Sequence, residues 1–166
     1  TMNAADVIAY PAFYGAVPVA WAGGLLLRDE RDLQDAYLLT LSYGATYVLS
    51  TLGKEVIRRP RPTLADVDDR GRSSARDEWE NRRYRYSLPS GHAALAFGLA
   101  TSYGLSHPHW YVLAPGYAWA TTTALSRVWR GRHYPSDVLA GALLGAAVAG
   151  ALHLAGSHIT PSFLTD

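Results

Sequence analysis

The sequence predicts an all-α fold, a polytopic membrane bundle of about five helices with its polar chemistry gathered at one membrane face. Two observations carry that expectation. The 15 basic and 14 acidic residues are confined to Asp6, a cluster from Arg28 to Asp35, a dense stretch from Lys54 to Arg85, a short one from Arg127 to Asp137, and Asp166. The uncharged runs between them, residues 7–27, 36–53, 86–126 and 138–165, have the lengths of bilayer spans, which need ~20 mostly apolar residues each. At 166 residues the chain is expected to form a single domain, residues 1–166, since a domain takes roughly 100–200 residues.

Composition narrows the function classes. Residues are 49% hydrophobic and 17% charged with a net charge of +1, which argues against a disordered chain and against a nucleic-acid partner. With no cysteine, disulfides, thiolate metal sites and a cysteine nucleophile are excluded.

Each element follows from its run. Helix 1 is expected near residues 5–27; it lacks the basic n-region of a cleavable signal and is longer than a signal's apolar stretch, so it reads as a span. Helix 2 is expected near 33–57, where Pro60 and Pro62 then end it. The run 86–126 is too long for one span, and His107-Pro108-His109 divides it into helix 3 near 90–106 and helix 4 near 109–127. Helix 5 is expected near 135–155, with Pro135 at its first position and Gly141 and Gly145 spaced for close helix packing in lipid. Residues 58–87 form one long connection, from Thr63 to Ser87 too rich in Arg, Asp and Glu for lipid, and read as a lid.

In an antiparallel bundle the connections after helices 2 and 4 share a side, and every basic residue except Arg28 and Arg31 falls there. Lys54, the only lysine, stands seven residues before Arg61, on nearly the same face if the segment is helical, and two such cations at one mouth suit a phosphate dianion. Arg58 and Arg59 read as a basic cluster touching lipid headgroups. Ser90-Gly91-His92 opens helix 3: Ser90 as N-cap, Gly91 letting an oxyanion approach free amides, His92 able to pass a proton to a departing oxygen. His133 and Asp137 are four apart, so the carboxylate could accept from one ring nitrogen and leave the other as a nucleophile; alternatively Asp137 caps its own helix and His133 packs in the loop.

Together these residues match the three signature motifs of the type 2 phosphatidic acid phosphatase family: Lys54 with Arg61-Pro62, Pro89-Ser90-Gly91-His92, and Ser126-Arg127 with His133 and Asp137. The resemblance runs from residue 54 to residue 137 and is complete at every signature position. It implies that Lys54, Arg61 and Arg127 bind phosphate with Ser90 and the Gly91 backbone, that His133 attacks phosphorus, that Asp137 orients His133, and that His92 protonates the leaving alkoxide. It implies no cofactor and no metal, a lipid phosphate or diphosphate as substrate, and the bilayer as surroundings. His107, His109, His153 and His158 fall on the opposite side and are assigned no catalysis. Five expected helices, without the extra N-terminal span of six-helix relatives, would place the N-terminus of this sequence on the catalytic side. The positive-inside rule would place the Arg-rich side in the cytoplasm, whereas the family resemblance places the active site on the outer face of the cell membrane, and the resemblance is followed. A soluble acid phosphatase of the same superfamily and a non-catalytic phospholipid-binding membrane protein are the alternatives; the spans and short length disfavour a vanadate haloperoxidase.

Overall fold

The computed structural model describes residues 4–62, 86–161 and 164, so most of the expected lid, residues 63–85, lies outside the described residues. Five helices follow in chain order: α1 Ala4–Leu27, α2 Glu30–Ile57, α3 Gly91–Ser106, α4 Trp110–Trp129 and α5 Pro135–Ile159. The sequence predicts α2 to start three residues later, because it starts inside the charged cluster: Asp29 caps it, accepting from the amides of Arg31 and Asp32 through Oδ1, and Glu30 and Asp32 favour the positive helix start. At the other end α2 stops before the prolines, where Arg58 takes a left-handed conformation at φ 51° and donates its amide to the Lys54 carbonyl. Arg61 is therefore not on the helix face of Lys54, as the seven-residue spacing would have it; an extended Arg59–Arg61 segment brings it back instead.

α3 packs most extensively on α5, and the reason is glycine. A Cβ on Gly145 would collide with the Ala94 carbonyl oxygen and come within 2.8 Å of the Gly98 amide nitrogen, and one on Gly141 would collide with the Ser90 carbonyl oxygen. Small-residue contacts of this kind let two backbones touch, which is how helices associate when lipid removes the hydrophobic drive between them. The core is correspondingly small-sided: Ala93, Ala96, Ala100, Ala120 and Ala124 with Phe13, Leu39 and Leu99.

Polarity is arranged for lipid. Ser42, Thr46 and Ser50, four residues apart along α2, are buried, while Tyr47, Val48, Leu49 and Leu52 of the same helix are exposed, as are Leu139, Leu143 and Leu154 of α5. By length and apolarity alone, among the described residues only Pro135–Gly156 qualifies as a span, at mean hydropathy 2.0, with Pro11–Leu27 a shorter apolar stretch. α3, at 16 residues, is too short to qualify on its own, and α2 carries charged residues at both ends and buried hydroxyls at Ser42, Thr46 and Ser50. The chain is an all-α polytopic membrane bundle.

Candidate active site

Four helix ends meet on one side: the C-termini of α2 and α4 and the N-termini of α3 and α5. Ser90 and Asp137 lie at two of them, and the close approach of α3 to α5 joins them through the Ser90 amide, which donates to the Asp137 carbonyl at 2.9 Å. Ser90 is the N-cap residue, as its position before the helix predicts, yet its hydroxyl makes no capping bond. The Ser90 Oγ is fully buried and has no hydrogen-bond partner among the described residues. A buried hydroxyl at a helix start, beside amides that have no intrahelical acceptor, is chemically suited to an oxyanion. The ammonium of Lys54 is already there: a Cβ on Gly91 would lie 3.2 Å from Lys54 Nζ.

His133 is delivered by the turn after α4. The Arg127 carbonyl accepts from the amides of both Arg132 (3.1 Å) and His133 (3.3 Å), folding the chain back onto the helix end. Gly131, at φ 62°, makes that reversal in a conformation open to glycine and strained for other residues. Arg127 itself is buried in the last turn of α4.

The imidazole of His133 is 3% exposed, and its Nδ1 lies 2.8 Å from the Ser87 carbonyl oxygen. A carbonyl can only accept, so Nδ1 carries the hydrogen and Nε2 keeps its lone pair. Burial, the nearby Arg61 cation and, less strongly, Lys54 and His92 push the His133 pKa from 6.5 down to about 3, with only the Ser87 hydrogen bond acting the other way. Arg61 and Lys54 from the end of the α2 segment and His92 from α3 all lie near enough to His133 to act on its charge. His92 stands in the first turn of α3 with its ring edge-on to Phe13 of α1, centroids 5.7 Å apart, so α1 also walls the site.

The triad expectation needs correction. Asp137 Oδ2 is 3.8 Å from His133 Nδ1, beyond hydrogen-bond range, because the Ser87 carbonyl occupies the position expected for the carboxylate. Asp137, fully buried, instead accepts from the Tyr134 amide at 2.8 Å, closing the first turn of α5, and from Arg59 Nη1 at 2.8 Å. The capping alternative is the geometry found, with Asp137 held as a fixed negative charge one step away from the imidazole.

Arg59 and Ser87 are the residues that sequence reasoning missed. Arg59, read as a headgroup contact, turns inward: beyond Asp137 it donates to Ser136 Oγ at 2.7 Å and lies over the Tyr134 ring at 4.0 Å. Ser87 donates its amide to the Arg59 carbonyl at 2.8 Å, and Pro60 and Tyr86 form an antiparallel bridge, so the two roots of the long connection are pinned together beside His133. No side-chain pattern could have flagged Ser87, which acts through its backbone; Arg59 carried a signal only in its nearness to Arg61.

Comparison with known proteins places the chain in a family. Residues 35–160 match the PAP2 superfamily, and the chain belongs to it. It is 48% identical over 65 residues to a lipid A 1-phosphatase of Porphyromonas gingivalis, covering 37% of this chain and 14% of that protein. To an undecaprenyl-diphosphatase of Sulfolobus acidocaldarius it is 31% identical over 140 residues, covering 84% of this chain and 63% of that one. Its fold is similar to that of a transmembrane PAP2-type phosphatidylglycerolphosphate phosphatase from Bacillus subtilis, with a TM-score of 0.64 and 24% identity over 87% of this chain and 69% of the other. The chain thus spans 14% and 63% of the lengths of the two curated relatives.

Proposed function

We propose that this chain is a membrane phosphatase that hydrolyses a lipid phosphate or diphosphate through a phosphohistidine on His133. The observation that carries the reading is the buried, uncharged imidazole of His133, its Nδ1 hydrogen held by the Ser87 carbonyl, inside a field of cations. A neutral histidine among positive charges is wasteful for structure and suited to attack on an anion.

The steps follow from the roles assigned to each residue. Lys54, Arg61 and Arg127, with the Ser90 hydroxyl and Gly91 amide, hold the phosphoryl oxygens and stabilise charge as it builds, the dominant requirement of phosphoryl transfer. The Nε2 lone pair of His133 forms the P–N bond as the P–O bond to the lipid breaks, and His92, protonated, gives its proton to the leaving oxygen. His92 then takes a proton from water, which attacks phosphorus and breaks the P–N bond, releasing phosphate and restoring both histidines. Asp137, at 3.8 Å, balances the positive charge that His133 gains on phosphorylation.

The partners are the lipid phosphate and the bilayer, the cell membrane is the location, and the active site faces outward. The relatives' named activities, on lipid A 1-phosphate, undecaprenyl diphosphate and phosphatidylglycerolphosphate, support the substrate class. The test is phosphate release from those three lipids and phosphatidic acid by detergent-purified protein. Release blocked by vanadate and absent in His133→Ala, with lipid binding retained, is the expected result. Turnover of water-soluble esters alone would instead favour the acid phosphatase, and binding without any turnover a phospholipid-binding protein.

A further inference from the structure

The side opposite the phosphate site holds a second polar cluster that the reaction does not use. Asp32 and Asp35 lie near the start of α2, and His107 caps the C-terminus of α3. One donor atom from each of the three lies within 4.8 Å of the others. Helix-start electrostatics explain Asp32, in the first turn, but neither Asp35 nor a histidine brought from another helix. Among the described residues neither carboxylate has a cationic partner. His107 Nδ1 is buried and has no hydrogen-bond partner there.

The surroundings are organised around these atoms. Ser106 Oγ donates to Asp35 Oδ1 at 2.6 Å, which fixes that carboxylate and leaves its other oxygen available. The Tyr103 ring stacks on His107, centroids 4.5 Å apart and 23° from parallel, and holds the imidazole plane. Hydrogen-bonded carboxylates and oriented imidazoles are the outer-shell support that metal ligands require. The three residues also border a cavity of about 500 Å³ whose apolar wall includes Leu39, Leu99 and Trp119.

We propose that Asp32, Asp35 and His107 bind a divalent transition-metal cation, of the zinc or manganese type, that clips α2 to α3 across the mouth of this cavity. One imidazole and two carboxylates are the donor set such ions take, and three protein ligands leave a position for water. Zinc bonds of ~2.0–2.2 Å put donors roughly 3.4 Å apart. A spread of 4.8 Å exceeds that by about 1.4 Å, a closure within reach of small side-chain rotations. The clip is remote from His133 and does not rest on the phosphatase reading.

The experiment is Co²⁺ titration of EDTA-stripped, detergent-purified full chain, followed by visible absorption, with thermal unfolding measured in Zn²⁺. The expected result is one Co²⁺ per chain with ligand-field bands, and an unfolding midpoint raised by roughly 5–10 °C at about 100-fold excess of Zn²⁺ over its Kd. His107→Ala and Asp35→Asn each abolish both signals, and Ser106→Ala weakens binding about tenfold. Absence of a stoichiometric Co²⁺ spectrum in the wild type overturns the site without reference to any variant's folding. So does a Zn²⁺-induced rise in His107→Ala equal to that of the wild type, which would place the ion elsewhere. Phosphate release by the stripped protein at 25 °C is expected to be unchanged, so the two proposals fail separately.

Discussion

Arg59→Met is the substitution that most sharply separates this site from the triad its sequence predicts. The Asp137 carboxylate is 0% exposed and is held by Arg59 Nη1 and the Tyr134 amide, each at 2.8 Å. Methionine keeps an aliphatic stem against the Tyr134 ring but leaves the buried carboxylate one donor short. Breaking a fully buried ion pair costs ~3–5 kcal/mol, whereas an exposed pair is worth ~0.2–1 kcal/mol. The Arg59 side chain is 35% exposed, so water screens it in part, and the expected loss is about 2 kcal/mol, in line with ~1.5–3 kcal/mol for a hydrogen bond to a charged group. For a chain of this size that is a fall in unfolding midpoint of roughly 4–8 °C. Asp137→Asn removes the charge and costs about 1 kcal/mol, since its amide oxygen still accepts from Tyr134. Because both changes remove one interaction, the double variant should recover about 1–2 kcal/mol relative to the sum. The assay is thermal unfolding of all four proteins in one detergent. Strict additivity, or an Arg59→Met midpoint within 1 °C of wild type, would refute the pairing and leave Asp137 free to serve His133 directly.

Other expectations follow from single observations. Ser90→Ala should leave the unfolding midpoint nearly unchanged, because the hydroxyl it removes has no partner, yet raise the vanadate inhibition constant about tenfold. Gly145→Ala should destabilise by ~1–3 kcal/mol or more, since the new methyl meets the Ala94 backbone and not a mobile side chain; an unchanged midpoint would contradict the α3–α5 contact. The pKa of His133 is lowered, so folding is stabilised fully above pH 6.5 and loses that support as pH falls toward 3, where the unfolded chain binds a proton that folded His133 refuses. Between pH 7 and pH 5 this amounts to about 2 kcal/mol, seen as a steeper fall in midpoint for wild type than for His133→Gln.

Much of this was legible from charge and turn chemistry. The five helices follow from where Asp, Glu, Lys and Arg are missing, and Pro135 marks the start of α5. Gly141 and Gly145 announced the helix contact that brings Ser90 to Asp137. α2 starts three residues before the expected position because Asp29 caps it and Glu30 and Asp32 favour its first turn. The hydrogen bond that fixes His133 was not legible at all: its acceptor is a main-chain carbonyl, and any residue at position 87 offers one. His133 and Asp137 have a spacing compatible with two geometries, and the choice between them rests on where Arg59 and Ser87 lie in space.

The central claim is that His133 carries the phosphoryl group. Protein mixed briefly with ³²P-labelled lipid phosphate and quenched in alkali, where phosphohistidine survives and acyl phosphates do not, tests it directly. The mechanism predicts label on a peptide containing His133, absent in His133→Ala and, in a variant of His92, both slower to form and slower to decay, because His92 serves each step. Label on another residue, or turnover in His133→Ala at more than about a hundredth of the wild-type rate, would contradict it.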